Sequence, residues 1–426
     1  MRRSLIQQLG PGLLWAGTAI GVSHLVQSTR AGAGFGLALL WLVIAANAFK
    51  YPGFEAGPRY ASATGRSLLE GYRRMGRWAL VLFLLLTVST MFTVIAAVTL
   101  VTAGMAASLV TSAIPAWGWS ILLLGLCALL LAVGRFKLLD GLMKVMMLLL
   151  TASTLLTLVM LLPSADLSRL TMWPPVPDWK PSTLIFLCAL AGWMPSALDT
   201  AVWQSLWGLE KARTEGRSWS PKEAFLDFNV GYGGAMGLAI VFVLLGALVL
   251  HGTGTELPDS AAGFAKTLID MYVAGLGEWA RPVILVAAFA TMLSTTLSVT
   301  DGFPRAMEGA IDRLFRGEEQ GPGDRTPTYW ILLAVCIAGA LGIIFAVTLG
   351  GFKSQLKLLV DVATILTGLT GTLFAVLNLL VLRRAEVPVE HRPSAGYTAF
   401  HIAGIVFMAA MGVLLVVALI LNALGS

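Results

Sequence analysis

Residues 19–36 read AIGVSHLVQSTRAGAGFG, and they begin inside the first apolar stretch of the chain. Glycine, serine and histidine stand side by side at a depth where a membrane helix is normally apolar, and glutamine, serine, threonine and arginine follow. Unpaired backbone groups are costly in hydrocarbon, so irregular backbone at this depth survives only where it is buried in protein or lines a wet cavity. The stretch therefore predicts an interrupted helix that borders a binding site.

The remainder of the chain has the composition of a polytopic membrane protein. Of its 426 residues, 57% are hydrophobic and 12% are charged, and the mean hydropathy is +0.82. About 20 mostly apolar residues cross a bilayer, and eleven runs qualify, called span 1 to span 11 below. They are centred near Ala16, Ile44, Ile95, Leu124, Leu150, Ala191, Val241, Phe289, Gly339, Thr370 and Val413. We therefore expect an all-α protein in membrane lipid, with no soluble domain.

The basic residues predict the orientation of the chain in the membrane. With the N-terminus in the cytoplasm, seven of the 29 Lys and Arg lie outside and the other 22 lie inside. The outer seven are Arg30, Arg169, Lys180, Lys266, Arg281, Lys353 and Lys357. Because cytoplasmic loops carry an excess of Lys and Arg, we expect the N-terminus inside and the C-terminus outside, in the bacterial inner (plasma) membrane. The net charge of +6 then reflects topology, and no nucleic-acid partner is expected.

A second interruption occurs five spans later, where residues 191–199 read AGWMPSALD. Pro195 lacks an amide donor and clashes with the preceding turn, and Gly192 permits unwound backbone. A packing kink explains either break alone, but paired breaks beside polar groups are typical of an inverted-repeat secondary transporter with its substrate at the membrane midplane. The repeats would be residues 1–165 (spans 1–5) and 166–385 (spans 6–10), with 386–426 forming an additional span 11.

Ionisable side chains inside the spans are few, and each is a functional candidate because burying a charge there costs about 2.5 to 3.5 kcal/mol or more. His24 could coordinate a soft or borderline cation or carry a proton, and its alternative is a hydrogen bond to a neighbouring helix. Asp199 could neutralise a bound cation or accept a coupled proton, and its alternative is a polar contact to span 1 or to freed backbone. Met194 offers a thioether, which as a ligand selects transition metals, but it could equally fill the core.

The predicted substrate site consists of Gly21, Ser23, His24, Ala191, Met194 and Asp199. Its predicted metal ligands are His24, Met194 and Asp199. The candidates for coupling to protons are His24, Asp199, Lys50 and Asp361. Lys50 either snorkels toward the cytoplasm or serves as an internal counter-ion. Asp361 is either an outer-gate group or only part of a helix end.

The residues around both breaks resemble those of the Nramp (natural resistance-associated macrophage protein) divalent-metal transporters. Residues 10–41 share the opening GPG, the AGA after the first helix and the later LLW, and Asn47 also fits. Met194 and Pro195 match the family's Met-Pro in helix 6, and Ser294, Thr296 and residues 307–309 (MEG) match its helix 8. The resemblance implies a LeuT-type 5+5 inverted repeat with helices 1 and 6 broken, a monomer, and import of manganese, iron and related divalent ions, usually with protons.

The family's metal ligands are only partly retained. The resemblance places the family's helix 1 Asp on Gly21, its Asn on His24 and its Met on Met194, so only the last is kept. The His that follows Met-Pro is Ser196 here, and the acidic residues of helix 3 and the arginine of helix 9 have no counterpart. Hard ions need anionic oxygen ligands, so the loss of the helix 1 carboxylate makes a softer ion or an organic solute easier to accept.

Our main hypothesis is a secondary transporter of a divalent metal cation with a non-standard site, coupled to protons through His24 or Asp199. The alternatives are a transporter of a small organic or non-metal solute, favoured by Trp15, Trp193 and Trp203 near the breaks, and a non-transporting membrane sensor. The sequence contains no zinc-ligand spacing, nucleotide-binding loop or nucleophile–base–acid set. We therefore expect no enzyme, and no cofactor apart from the transported ion.

Overall fold

The computed structural model describes residues 9–133, 136–164, 179–254, 257–315, 326–352 and 355–424. Within these ranges the chain is helical and contains no β-strand. The predicted all-α fold is thus confirmed. The predicted boundary between the two repeats, at 165/166, lies outside the described residues, so the division into repeats stays a prediction.

The first half of the chain contains spans 1 to 5. Span 1 consists of α1 (Pro11–Ala19), a π-helix (Val22–Ser28) and α2 (Thr29–Phe35). Spans 2 to 5 are α3 (Leu40–Thr64), α5 (Arg77–Leu109), α6 (Ala116–Val133) and α7 (Phe136–Leu161), and the short α4 (Leu68–Met75) connects spans 2 and 3.

The second half contains spans 6 to 11. Span 6 consists of α8 (Pro181–Trp193) and α9 (Thr200–Thr214). Spans 7 to 11 are α10 (Pro221–Val249), α12 (Arg281–Phe315), α13 (Pro327–Leu349), α14 (Gln355–Leu382) and α15 (Ala395–Leu424), and α11 (Ala261–Leu276) lies between spans 7 and 8. Proline occupies the first turn of α1, α8, α10 and α13, where its missing amide is not needed.

Seven continuous helices within the described ranges are long and apolar enough to cross a membrane. They correspond to spans 3, 4 and 7 to 11. Spans 1 and 6 are both interrupted, as the sequence predicts, so each is divided into shorter helices. Span 2 is a single 25-residue helix, but Lys50, Glu55 and Arg59 lower its hydropathy. The broken-helix architecture is confirmed. The described helices follow the order of the eleven predicted spans, but seven of them, and not eleven, are continuous, long and apolar enough to cross a membrane.

Close backbone contacts hold both halves of span 1 against α10. A Cβ on Gly12 would lie 2.1 Å from the carbonyl oxygen of Asp227, and a Cβ on Gly32 would lie 2.1 Å from that of Val243. Small residues at membrane helix interfaces allow this approach. The break therefore lies between two segments that are each fixed to the same neighbouring helix.

Candidate functional site

The two interruptions meet. In span 1, Ile20 leaves helical geometry with ψ 66°, and Gly21 has φ −134° and ψ −125°. In span 6, Met194 is extended, with ψ 127°. The hydroxyl oxygen of Ser23 lies 2.9 Å from the carbonyl oxygen of Pro195. A side chain of one break thus contacts backbone freed by the other, as expected for a shared site.

Span 8 forms a further wall beside the break in span 1. The hydroxyl of Thr295 in α12 donates to the carbonyl oxygen of Gly17, at 3.1 Å. A Cβ on Gly21 would lie 2.8 Å from Cγ2 of Thr295, closer than real Cβ atoms approach. Glycine at position 21 is therefore needed for the close approach of spans 1 and 8.

A cavity of about 20 Å³ lies between the two breaks. It has room for roughly one water molecule or one ion. Val98, Val299 and Trp203 contribute apolar walls. The polar groups that line it belong to Thr18, Ser23, Ser196, Asp199, Thr200 and Thr295. All six offer oxygen, the ligand type preferred by hard cations such as magnesium and manganese.

Asp199 provides the carboxylate of this cavity. The residue is 2% exposed, and among the described residues neither of its carboxylate oxygens has a partner within hydrogen-bonding geometry. It precedes the first residue of α9, but its side chain caps no backbone amide. A buried carboxylate without partners is strongly destabilising when charged. Asp199 is therefore the group in the cavity that most needs a cation or a proton.

His24 lies outside the cavity lining and is completely buried. Its Nε2 lies 2.9 Å from the carbonyl oxygen of Ala235. A carbonyl only accepts hydrogen bonds, so Nε2 carries the proton. Nδ1 lies 2.7 Å from the hydroxyl oxygen of Ser23. The same hydroxyl lies 2.7 Å from the carbonyl oxygen of Ala19 and 2.9 Å from that of Pro195. Both ring nitrogens thus face protein atoms, and His24 is not part of the cavity lining in this conformation.

Met194 and Ala191 also lie outside the cavity between the breaks. Met194 is 0% exposed and belongs to an apolar cluster with Leu42, Val43 and Leu190. Ala191 borders a second cavity of about 10 Å³, between span 6 and spans 2, 10 and 11. Of the predicted substrate-binding residues, Ser23 and Asp199 both line the cavity between the breaks. Gly21 packs against Thr295, which also lines this cavity. The described residues contain no cluster of three or more His, Cys, Asp or Glu suited to a metal ion.

Lys50 lies in the middle of α3 and contacts the end of α8. Its Nζ donates to the carbonyl oxygen of Gly192, at 2.5 Å, and the residue is 2% exposed. The side chain therefore does not snorkel to the cytoplasmic surface. Its predicted role in coupling stays a prediction.

Asp361 forms an ion pair with Arg30, at 2.8 Å, and the two side chains are 28% and 17% exposed. The guanidinium of Arg30 also lies 5.0 Å from the ring centroid of Phe186. These contacts link α2, α8 and α14, so Asp361 is more than a helix end. Arg30 was not among the predicted site residues, although its place directly after a polar run was a signal. Thr295 was not among the predicted site residues either, because threonines within helices usually bond to their own backbone.

The sequence profile of the Nramp family, described as natural resistance-associated macrophage protein-like, matches residues 12–418. The chain belongs to the Nramp family. It is 33% identical over 385 residues to an uncharacterised protein of Pasteurella multocida, which covers 90% of this chain and 86% of that one.

Solved structures place this Nramp protein in the LeuT-type fold. A crystal structure of a single-residue mutant of the Eremococcus coleocola manganese transporter superposes with a TM-score of 0.71 at 15% identity, covering 96% of this chain and 85% of that one. MhsT in complex with L-phenylalanine superposes with a TM-score of 0.59 at 14% identity, covering 96% and 98%. Both likenesses concern the fold, and the predicted fold class is confirmed.

Within this Nramp protein the carboxylate of the midplane cavity comes from span 6. The position at which the resemblance puts the helix 1 acid is Gly21, where the space for a side chain is taken by Thr295. Asp199 faces the same cavity from the other break.

Proposed function

We propose that this Nramp protein is a secondary transporter of a divalent metal cation that binds at Asp199, between the breaks of spans 1 and 6. The observation that most supports this is the buried carboxylate with two unpartnered oxygens on a one-ion cavity. A cation supplies the charge that Asp199 lacks, and nearby hydroxyl oxygens replace part of the ion's hydration shell. A cavity of this size suits an ion better than an organic solute.

The chemistry of the lining favours a hard cation. All six polar side chains on the cavity are oxygen donors, and the thioether of Met194 and the imidazole of His24 are not among them. Manganese and magnesium prefer oxygen ligands, whereas softer ions prefer nitrogen and sulfur. We therefore propose manganese or magnesium as the substrate, and we no longer favour the softer ion suggested by the missing helix 1 acid.

Proton coupling would follow from the same carboxylate. In a buried site without partners, charged Asp199 is stabilised either by a bound cation or by taking up a proton. Cation and proton would then compete for Asp199, so that movement of one changes the occupancy of the other. His24 supports the break through hydrogen bonds to Ala235 and Ser23.

Flux measurements on purified protein in liposomes test the proposal. We expect manganese and magnesium uptake by the native protein, with proton movement that tracks it, and loss of both in Asp199→Asn. Glu210→Gln is the matched control, because Glu210 lies on the same helix but pairs with Arg213 on the exposed surface. Unchanged uptake in Asp199→Asn would refute the site. Uptake of an organic solute without any metal flux would instead favour the alternative substrate class.

A further inference from the structure

Lys50 is a buried cation that lines the second cavity beside Ala191 and Gly192, whereas Asp199 lines the cavity between the breaks. It lies in the middle of α3, a 25-residue helix, and only 2% of its surface is exposed. Its hydrogen bond goes to the carbonyl of Gly192, and no carboxylate pairs with it among the described residues. Ionisable groups buried at this depth are rare and are usually functional.

The end of α8 is a natural site for positive charge. The C-terminus of a helix carries a partial negative charge, from carbonyls that have no amide partner. Here Pro195 has no N–H to offer the carbonyl of Ala191, and the carbonyl oxygen of Gly192 accepts a hydrogen bond from the ammonium of Lys50. The ammonium therefore occupies a place at the break where a free cation would otherwise be attracted.

This helix end also borders the cavity of Asp199. Trp193 follows Gly192 directly, and Ser196 follows four residues later, and both line the cavity. Lys50 and an ion bound at Asp199 would thus lie on either side of one unwound segment in a medium of low dielectric. Two positive charges in that arrangement repel each other.

We propose that Lys50 is a specificity-determining residue that selects among cations by charge. Its tethered ammonium weakens the binding of an ion at Asp199, and it opposes a divalent ion twice as strongly as a monovalent one. This inference rests on the proposed cation site at Asp199. Lys50 would set the affinity low enough for release of the ion from an otherwise strongly attractive buried carboxylate.

Removal of the Lys50 charge should change the affinities for divalent and monovalent cations by different factors. Loss of a purely structural contact would not do so. Coulomb energy is proportional to the charge of the ion, so the logarithm of the affinity gain for a dication should be twice that for a monocation. If Lys50→Met tightens manganese binding about tenfold, it should tighten sodium binding only about threefold. Loss of a structural hydrogen bond would change both affinities alike.

The experiment uses the full-length protein in lipid nanodiscs. Manganese affinity is measured by calorimetry and sodium affinity by competition, in the native protein, Lys50→Met, Lys50→Gln and Lys50→Arg. Lys50→Gln keeps a hydrogen-bond donor without the charge, and it provides a second uncharged variant if Lys50→Met misfolds. Thermal unfolding shows whether each variant is folded. Lys222→Met is the matched control, since Lys222 is exposed at the start of α10.

The expected result is tighter manganese binding in the two uncharged variants and native affinity in Lys50→Arg and Lys222→Met. Manganese affinities within twofold of native in both uncharged variants would overturn the role of Lys50 and leave the proposed function standing. Equal gains for manganese and sodium would also overturn it. If neither the native protein nor any variant binds a cation, the site at Asp199 fails, and the selectivity role fails with it.

Discussion

Two aspartates in this protein show how surroundings decide the role of a residue. Asp227 accepts hydrogen bonds from the backbone amides of Gly10 and Gly12, each at 2.7 Å. It therefore fixes the start of α1 to α10. Asp199 is buried to a similar degree but has no such partners. The first aspartate stabilises the fold, and the second is held in place at a cost in stability.

Replacing each aspartate by asparagine should therefore change stability in opposite directions. Asp199→Asn removes a poorly compensated charge and should raise the free energy of unfolding by about 1 kcal/mol. Asp227→Asn weakens two charge-assisted hydrogen bonds and should lower it by about 1 to 3 kcal/mol. Thermal unfolding without divalent ions measures both effects. Lower stability in Asp199→Asn would mean that its carboxylate has stabilising contacts in the folded protein.

Met194 tests the predicted thioether ligand. It lies in an apolar cluster and not on the cavity, so Met194→Leu should preserve manganese affinity. This swap nearly conserves volume and should cost less than about 1.5 kcal/mol of stability. Calorimetry against the native protein decides the question. A loss of manganese affinity of tenfold or more would restore methionine to the ligand set.

The residues at both breaks could be located from the sequence, but their contacts could not. Gly21, Pro195 and the neighbouring polar residues signal unwound backbone directly, because of their known backbone preferences. The direction in which His24 points depends on a carbonyl of span 7, 211 residues away. No local pattern encodes such a pairing. The predicted list of site residues therefore mixes groups that line the cavity with groups that support its walls.

At the scale of the helices, the proposed transport requires the break in span 1 to stay next to span 8. Gly21 and Gly17 lie one turn apart, yet their surroundings differ. A Cβ on Gly21 would meet Thr295 at 2.8 Å, while a Cβ on Gly17 would find its nearest neighbour at 3.7 Å. The contact between span 1 and α12 therefore has room for a side chain at position 17 but not at position 21.

Alanine substitutions at these two positions should therefore change metal flux to different degrees. Gly21→Ala should reduce metal flux at least tenfold, because the new methyl group forces span 1 away from the cavity wall. Gly17→Ala should keep nearly native flux. Thr295→Ala removes the atoms nearest to the new methyl and should partly restore flux in the Gly21→Ala background. Native flux in Gly21→Ala alone would show that the two spans need no close contact there.

At the scale of the whole molecule, the two halves of span 1 pack equally closely against α10, but the polar links at its two ends differ in strength. The end at Gly10 is bound by the buried carboxylate of Asp227 through two backbone amides, bonds worth about 1.5 to 3 kcal/mol each. The end at Arg30 is linked to span 10 by the partly exposed pair of Arg30 and Asp361, worth about 0.2 to 1 kcal/mol. The pair of Arg30 and Asp361 is the weaker of these two polar links, so we expect spans 1 and 10 to separate first and the cavity to open first toward the side that carries Arg30.

Thiol labelling measures this opening. A Ser196→Cys substitution places one new thiol on the cavity. Labelling reports on this thiol because native Cys127, Cys188 and Cys336 are all buried. Asp361→Asn breaks the ion pair with Arg30. It should speed labelling by a membrane-impermeant reagent several-fold from the side on which Arg30 lies. Glu278→Gln is the control, since Glu278 pairs with Arg281 on the exposed surface and joins no broken helix. An equal rate in both variants would show that the pair does not hold the cavity closed, and faster labelling from the opposite side would place the weaker link at Asp227.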